Sequence, residues 1–201
     1  PLHLNLAITT YLLTLAVFVP ISGWMADRYG AKRIYLIAIA IFTASSLMCG
    51  LSESLGQLVA ARFFQGIGGA MMTPVGRVIV VKTAPRTDIV KAMTYITIPA
   101  AMAPLFGPSV GGFIVTYFSW NWIFFINIPI GLIGLLLVWW KIPDVREETR
   151  TPLDAWGFTL VATGIACLML GFESMGRDLF PVAAVVALLI FGTLFGWLYL
   201  L

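Results

Sequence analysis

The sequence predicts an all-α polytopic membrane protein with seven transmembrane helices, and three observations support this class. The 201-residue chain is 60% hydrophobic and only 10% charged, whereas a soluble domain has about 25% charged residues. Seven apolar segments approach the length of about twenty residues that an α-helix needs to cross a bilayer. Lys and Arg residues concentrate in alternate loops. Helices are expected because no strand-like alternation is present and backbone groups in lipid need internal partners.

The predicted spans follow one another through short connections. They cover residues 4–26, 34–51, 58–80, 92–117, 122–140, 153–172 and 179–201. The chain begins with Pro1 rather than methionine, and Leu201 falls inside an apolar run. We therefore expect it to be a piece of a longer polytopic protein.

Loop charge predicts how the spans are oriented. Three alternate loops hold Arg28, Lys32, Arg33, Lys82, Arg86, Lys91, Lys141, Arg146 and Arg150, and the opposite loops hold only Arg177. Because cytoplasmic loops carry the excess of Lys and Arg, residue 1 is expected on the periplasmic or extracellular side and residue 201 on the cytoplasmic side. The net charge of +3 does not indicate nucleic-acid binding, since the basic residues lie in separate loops rather than on one surface.

The segment 23–33 is a predicted charged turn between the first two spans. Gly23 and Gly30 permit a close approach or unusual backbone angles. Asp27 could cap a helix or pair with a basic residue. The basic residues that would hold the cytoplasmic side are Arg28, Lys32 and Arg33. The alternative is an ordinary basic hairpin that sets topology alone.

Polar and small residues line one face of the third span. At helical spacing this face holds Arg62, Gln65, Gly66, Gly69 and Thr73. An arginine within the membrane costs about 2.5–3.5 kcal/mol and is a functional candidate. Arg62 could instead extend to the outer surface, since it lies near the end of the span. Gln65 beside it favours the interior.

The fourth span combines a ridge of small residues with three prolines. Ala103, Gly107 and Gly111 recur every four residues, a spacing that lets two helix backbones pack closely. The prolines remove helix hydrogen bonds and are expected to bend the span; they are Pro99, Pro104 and Pro108. The alternative is a packing helix with a tolerated kink.

Other polar residues predict little chemistry. Cys49 and Cys167 lie inside apolar runs and are interpreted as packing residues, and His3 has neither a cysteine nor a carboxylate nearby. No metal site is therefore predicted. In the fifth span Asn127 could line a path or bond a neighbouring helix. All acidic residues lie in loops or at span ends, so an intramembrane proton carrier, if one exists, is expected outside this chain.

These motifs resemble those of the major facilitator superfamily of transporters. The segment 23–33 is similar to its loop signature G-x-L-A-D-R-x-G-R-K, from which Met25 and Ala31 depart. The third span resembles the fourth-helix pattern through Leu58, Arg62, Gln65, Gly66, Gly68, Gly69 and Ala70. The fourth span resembles the fifth-helix signature of the antiporters through Ala103, Gly107, Pro108, Gly111 and Gly112, with Ala103 replacing a glycine.

The run at 120–131 and the short loop before the sixth span are similar to the fourteen-span drug:proton antiporters of the EmrB/QacA type. The resemblance implies a major-facilitator-type helical bundle covering family helices two to eight. Residues 1–142 would be an N-terminal transporter bundle lacking its first helix. Residues 143–152 would be a cytoplasmic loop, and residues 153–201 two extra linker transmembrane helices.

The resemblance also implies an activity, which is proton-coupled antiport of amphipathic drugs or toxic small molecules by alternating access in a bacterial inner membrane. The segment 23–33 would be a gating loop. Arg62, Gln65 and Gly66 would assist proton coupling. The antiporter hinge would comprise Ala103, Pro104, Gly107, Pro108, Gly111 and Gly112, and the substrate-lining candidates are Thr73 and Asn127. The proton gradient would replace any cofactor, and a periplasmic adaptor and an outer-membrane channel are further conceivable partners.

Three alternatives use the same observations. The same scaffold could export a specific metabolite, sugar or siderophore. A seven-helix receptor or retinal protein is disfavoured, because the last span has no lysine to bind retinal. An intramembrane enzyme is disfavoured by the lack of a histidine or metal constellation in the spans.

Overall fold

The computed structural model describes residues 2–144, 152–175 and 180–200. These residues form α1 (Leu2–Tyr29), α2 (Ala31–Gly50), α3 (Leu55–Thr83), α4 (Ile89–Tyr117), α5 (Trp122–Phe125), α6 (Asn127–Lys141), α7 (Ala155–Met175) and α8 (Val182–Leu200). Within this part of the chain, seven helical segments are long and apolar enough to cross a membrane, α5 and α6 together forming one of them. The predicted all-α polytopic class is confirmed.

Most helices extend past the apolar runs that predicted them, because a helix continues into the headgroup region after hydropathy has fallen. The start of α3 shows how such an end is stabilised. Ser54 is the N-cap, and its side-chain oxygen accepts a hydrogen bond from the Gln57 amide at 3.3 Å. Asp154 does the same for α7 by accepting from the Gly157 amide at 2.8 Å. Both caps satisfy amides that the first helical turn leaves unpaired.

The charged turn predicted at 23–33 is shorter in the structure than in the prediction. α1 continues to Tyr29 and α2 begins at Ala31, so that Gly30 alone separates them. Gly30 has a φ of 93°, a conformation that glycine adopts far more easily than other residues. Gly23 lies inside α1, and the chain reversal depends on one glycine rather than two.

The predicted fifth span is divided into α5 and α6 at Ile126. The cause is Pro129, which lies four residues after Phe125, the last residue of α5. A proline ring clashes with the carbonyl of the residue four positions before it and offers no amide hydrogen to that carbonyl. The regular helical hydrogen bonding is therefore interrupted at Ile126, which keeps α-helical angles, and residues 122–141 still form the one predicted span.

The centre of the bundle is formed by α1, α2 and α3, with α6 packed against α2. Glycines of α3 allow the close approach of both neighbours. A Cβ on Gly68 would lie 2.7 Å from the Phe42 backbone nitrogen in α2. A Cβ on Gly66 would lie 2.9 Å from the Tyr11 carbonyl oxygen in α1. The polar, small face predicted for α3 is therefore shared between two neighbouring helices.

The remaining helices lie at the margin of this core. α7 and α8 pack chiefly against each other, and α7 also contacts α1. The side chains of Thr9 in α1 and Glu173 in α7 are hydrogen-bonded. α4 contacts α3 and α5, but none of its residues is buried within the described chain.

Some predicted features lie outside the described residues. They are Arg146, Arg150 and Arg177, which entered the charge count, and most of the predicted loop at 143–152.

Candidate functional site

The candidate site is built around Arg62 on α3. Its Nη1 donates a hydrogen bond to the Gln65 side-chain oxygen at 2.8 Å. The two residues are three apart, so they lie on adjacent turns of one helix face. Arg62 is half-buried and is held inside the bundle. Of the two positions predicted for it, the interior and the outer surface, the structure has the interior one.

A second hydrogen bond connects Gln65 to α2. The Gln65 amide nitrogen donates to the Ser46 hydroxyl at 2.7 Å, and that hydroxyl donates to the Phe42 carbonyl at 2.8 Å. Gln65 is 2% exposed and Ser46 is fully buried. Arginine can only donate, so the orientation of the Gln65 amide is fixed, with its oxygen toward Arg62 and its nitrogen toward Ser46.

Aromatic rings from two other helices contact the Arg62 guanidinium. Its central carbon lies 4.9 Å from the centroid of the Tyr11 ring on α1 and 5.2 Å from that of the Phe124 ring on α5. Cations are attracted to ring faces within about 6 Å, and more strongly where water is excluded. Phe124 is 8% exposed. The rings therefore help to hold a charged group inside the bundle.

Gly66 explains how Tyr11 reaches this position. A Cβ on Gly66 would lie 2.7 Å from the Thr14 Cβ as well as close to the Tyr11 carbonyl. A larger residue would force α1 away from α3 and would withdraw the Tyr11 ring from Arg62. The predicted coupling candidates Arg62, Gln65 and Gly66 are thus brought together, although Gly66 contributes space rather than a polar group.

One donor of Arg62 stays without a partner among the described residues. Its Nε is buried and makes no hydrogen bond there. A buried donor of a charged group is costly to leave unsatisfied. The geometry is suited to receiving one further acceptor, and a carboxylate would also balance the charge.

The predicted gating loop is tied to other helices by two of its charged residues. Asp27 forms a salt bridge with Lys82 at the end of α3, at 3.1 Å. The Lys32 ammonium donates to the Trp139 carbonyl near the end of α6, at 2.8 Å. A cation at a helix C-terminus is favourable because the carbonyl groups there are unpaired. Asp27 is therefore paired with a basic residue, one of the two roles predicted for it.

The other two basic residues of this segment are exposed. The Arg28 guanidinium lies over the rings of Trp24 and Tyr29, at 5.3 and 5.9 Å from their centroids. Arg33 is exposed at the start of α2. Charged and aromatic side chains together at a helix end are typical of a membrane–water interface.

The predicted antiporter hinge on α4 contacts little of the described chain. A Cβ added to Gly107, Gly111 or Gly112 would have no atom within 4 Å. The neighbouring Ala103, Pro104 and Pro108 are exposed. The close packing and hinge roles of this ridge stay predictions.

The two substrate-lining candidates lie apart. Thr73 lines a cleft of about 560 Å³ between α2, α3 and α4, together with Tyr35 and Arg77. Asn127 is half-buried at the start of α6 and does not line this cleft.

Four residues of interest escaped prediction. Arg77 carries a charge within the third predicted span and was detectable from the sequence for that reason. Ser46 stands in the polar pair Ser45–Ser46 inside an apolar run, which is a weak signal. Tyr11 and Phe124 have no sequence signal, because their role depends on which helices become neighbours.

Comparison with known proteins identifies the family. The model of the Major Facilitator Superfamily matches residues 1–201. A relative from Pectobacterium atrosepticum is 46% identical over 99% of this chain and 43% of its own length. A second from Pectobacterium carotovorum is 47% identical over 96% of the chain and 41% of its length, and a third from Salmonella dublin is 47% identical over 93% and 40%.

All three relatives carry the name MdtD and a provisional assignment as multidrug resistance proteins. The chain spans about two fifths of the length of the curated relatives it matches. The family match covers the whole chain, and it agrees with the seven apolar helices and with the motifs on α1, α3 and α4. The chain belongs to the Major Facilitator Superfamily.

Proposed function

We propose that the complete protein is a proton-coupled exporter of amphipathic small molecules in a bacterial inner membrane. The observation that carries this proposal is Arg62, a charged side chain fixed inside the membrane with a buried donor that has no partner in the described chain. The assignment of the relatives as multidrug resistance proteins supports the class of substrate.

A fixed guanidinium can control a proton carrier. An opposite charge within about 4–6 Å favours the ionised form of a carboxylate, and burial without such a partner favours the protonated form. A carboxylate that approaches Arg62 would release its proton, and one that moves away into an apolar environment would bind a proton. We place this carboxylate in a segment beyond the present chain, as the absence of acidic residues from the middle of the predicted spans suggests.

The exposed face of α4 supports the same arrangement. A helix without buried residues, whose small ridge faces open space, is suited to pack against a further transmembrane helix. Exchange would then follow alternating access, with helix bundles rocking around a site near the middle of the membrane. The Asp27–Lys82 pair joins the ends of α1 and α3, and the bond from Lys32 to the Trp139 carbonyl joins those of α2 and α6. These ends would lie on the cytoplasmic side.

The test uses the full-length protein in proteoliposomes with an imposed pH gradient. With an acidic lumen, outward proton flow should drive accumulation of ethidium, whose permanent charge prevents trapping by protonation. Protein-free liposomes and a protonophore are the controls, and both should abolish accumulation. Accumulation that is independent of the gradient would contradict proton coupling. No transport of any amphipathic dye, with gradient-driven transport of a sugar or siderophore, would favour the specific-exporter alternative.

A further inference from the structure

The hydrogen-bond chain behind Arg62 has a direction that bears on the proposed proton coupling. Arg62 donates to Gln65, Gln65 donates to Ser46, and Ser46 donates to the Phe42 carbonyl. Gln65 and Ser46 each accept one of these bonds and donate the next, so turning the Gln65 amide would break both of its bonds in a buried position. The chain connects the charged group on α3 to the backbone of α2.

We propose that Ser46 is a positioning residue for Arg62 and acts through the Gln65 amide. Without the Ser46 hydroxyl, the Gln65 nitrogen would lose its acceptor in a fully buried position. The amide would then have to turn toward another acceptor, and its oxygen would leave Nη1 of Arg62. The role rests on the proposed function, because it matters only if the orientation of Arg62 controls exchange.

The surroundings of Arg62 make this support specific. Tyr11 and Phe124 hold the guanidinium against their ring faces. Contact with a ring face does not determine how the guanidinium is turned about the axis perpendicular to that ring. The hydrogen bond that Arg62 donates to Gln65 is the directional contact that the described chain provides. The Cys49 thiol also reaches the Gln65 oxygen, at 3.8 Å, but a thiol is a weak donor and does not contact the Gln65 nitrogen. Ser46 is thus the group that fixes the amide.

A matched control lies one residue away. Ser45 is 1% exposed on the same helix, and its hydroxyl bonds to the Ile41 carbonyl of its own helix. Ser45→Ala therefore removes a buried hydroxyl of the same size and environment, without affecting Gln65. A general effect of losing a serine from α2 would appear in both variants.

The experiment compares Ser46→Ala and Ser45→Ala in the full-length protein, with exchange rate at saturating drug and drug KM measured separately. Ser46→Ala should lower the maximal rate by about tenfold, the effect expected of one unpaired buried donor, while the KM changes less than about twofold. Ser45→Ala should keep both within about twofold of the wild type. Equal rates for the two variants would overturn the positioning role.

A double-mutant cycle tests whether Ser46 acts through Gln65. In the Gln65→Ala background, Ser46→Ala should have little further effect, whereas independent roles would give additive losses. If the alanine variant does not fold, Ser46→Cys takes its place, because cysteine has nearly the size of serine but is a weak acceptor. The same lowered maximal rate and the same lack of further effect in the Gln65→Ala background are expected of it. Additive losses would overturn the proposal. Absence of proton-coupled exchange in the wild type would instead overturn the proposed function, and this role with it.

Discussion

At the scale of single residues, the molecule holds one cation inside the bundle and pairs others at the helix ends. Arg62 is fixed by a directional hydrogen bond and by two aromatic rings, so it keeps its place without a counter-ion in the described chain. Asp27 and Lys82 form a partly exposed pair at the membrane surface. Exposed pairs contribute about 0.2–1 kcal/mol, so this contact can break at little cost in free energy.

We predict that Asp27→Asn slows exchange a few-fold at saturating drug and leaves the drug dissociation constant nearly unchanged. The reason is that the weak Asp27–Lys82 contact favours one conformation but does not reach a substrate cavity. Rates from proteoliposomes and equilibrium drug titration provide the two measurements. Asp88→Asn, at an exposed carboxylate that makes no capping hydrogen bond, is the control. A large loss of affinity with a normal exchange rate would argue against the gating role.

At the scale of helices, glycine and proline determine where helices end and how closely they approach one another. Gly30 separates α1 from α2 by its positive φ, and Pro129 interrupts the fifth span. Gly66 and Gly68 allow α1 and α2 to pack closely against α3. Hydropathy predicted the seven spans but not these details. The interruption at Ile126 follows from Pro129 by a known steric rule, whereas hydropathy falls before α1 ends at Tyr29 and so could not predict its last turn.

The two glycines of the 23–33 segment should respond oppositely to alanine. Gly30→Ala should destabilise the protein by about 1–3 kcal/mol, because a side chain strains this backbone conformation. Gly23→Ala should be neutral or stabilising by up to about 1 kcal/mol, since it lies within α1 and a Cβ there would contact nothing within 4 Å. Thermal unfolding of the detergent-solubilised full-length protein measures both. Equal midpoints for the two variants would contradict the single-glycine reversal.

The interior of the bundle offers a second element-scale prediction. Gly68→Ala should destabilise the protein, because the new Cβ would lie 2.7–2.8 Å from backbone atoms of Phe42 and Ala38, which cannot move independently. Overpacking of this kind costs about 1–3 kcal/mol. Gly56→Ala, at an open position near the start of α3, is the matched control. A Gly68 variant as stable as the Gly56 variant would show that α2 and α3 lie farther apart.

At the scale of the whole molecule, composition and hydropathy predicted the class and the number of spans, and the motifs on α1, α3 and α4 predicted the family. They could not predict the site in full. The Arg62–Gln65 pair is visible from helical spacing, but Tyr11, Ser46 and Phe124 join it only after three other helices pack around α3. The packing role of the ridge on α4 and the proton carrier stay predictions, and the chain spans about two fifths of its relatives.

The predicted sidedness can be measured by cysteine accessibility. After replacement of Cys49 and Cys167 by alanine, Glu53→Cys and Thr87→Cys each place one exposed cysteine in a connection on opposite sides of the membrane. A membrane-impermeant maleimide should label position 53 in intact cells and position 87 only in inverted vesicles. The distribution of loop charge is the physical reason. The reverse labelling pattern would show that the protein is inserted the other way up.

The central claim is that Arg62 couples proton movement to export, and drug-driven proton release tests it most directly. Full-length wild-type protein in proteoliposomes should release protons when drug is added. Arg62→Ala should insert into the membrane and bind drug normally, yet release none, because no fixed charge would remain to displace the proton from its carrier. Proton release by Arg62→Ala at the wild-type rate would contradict the account.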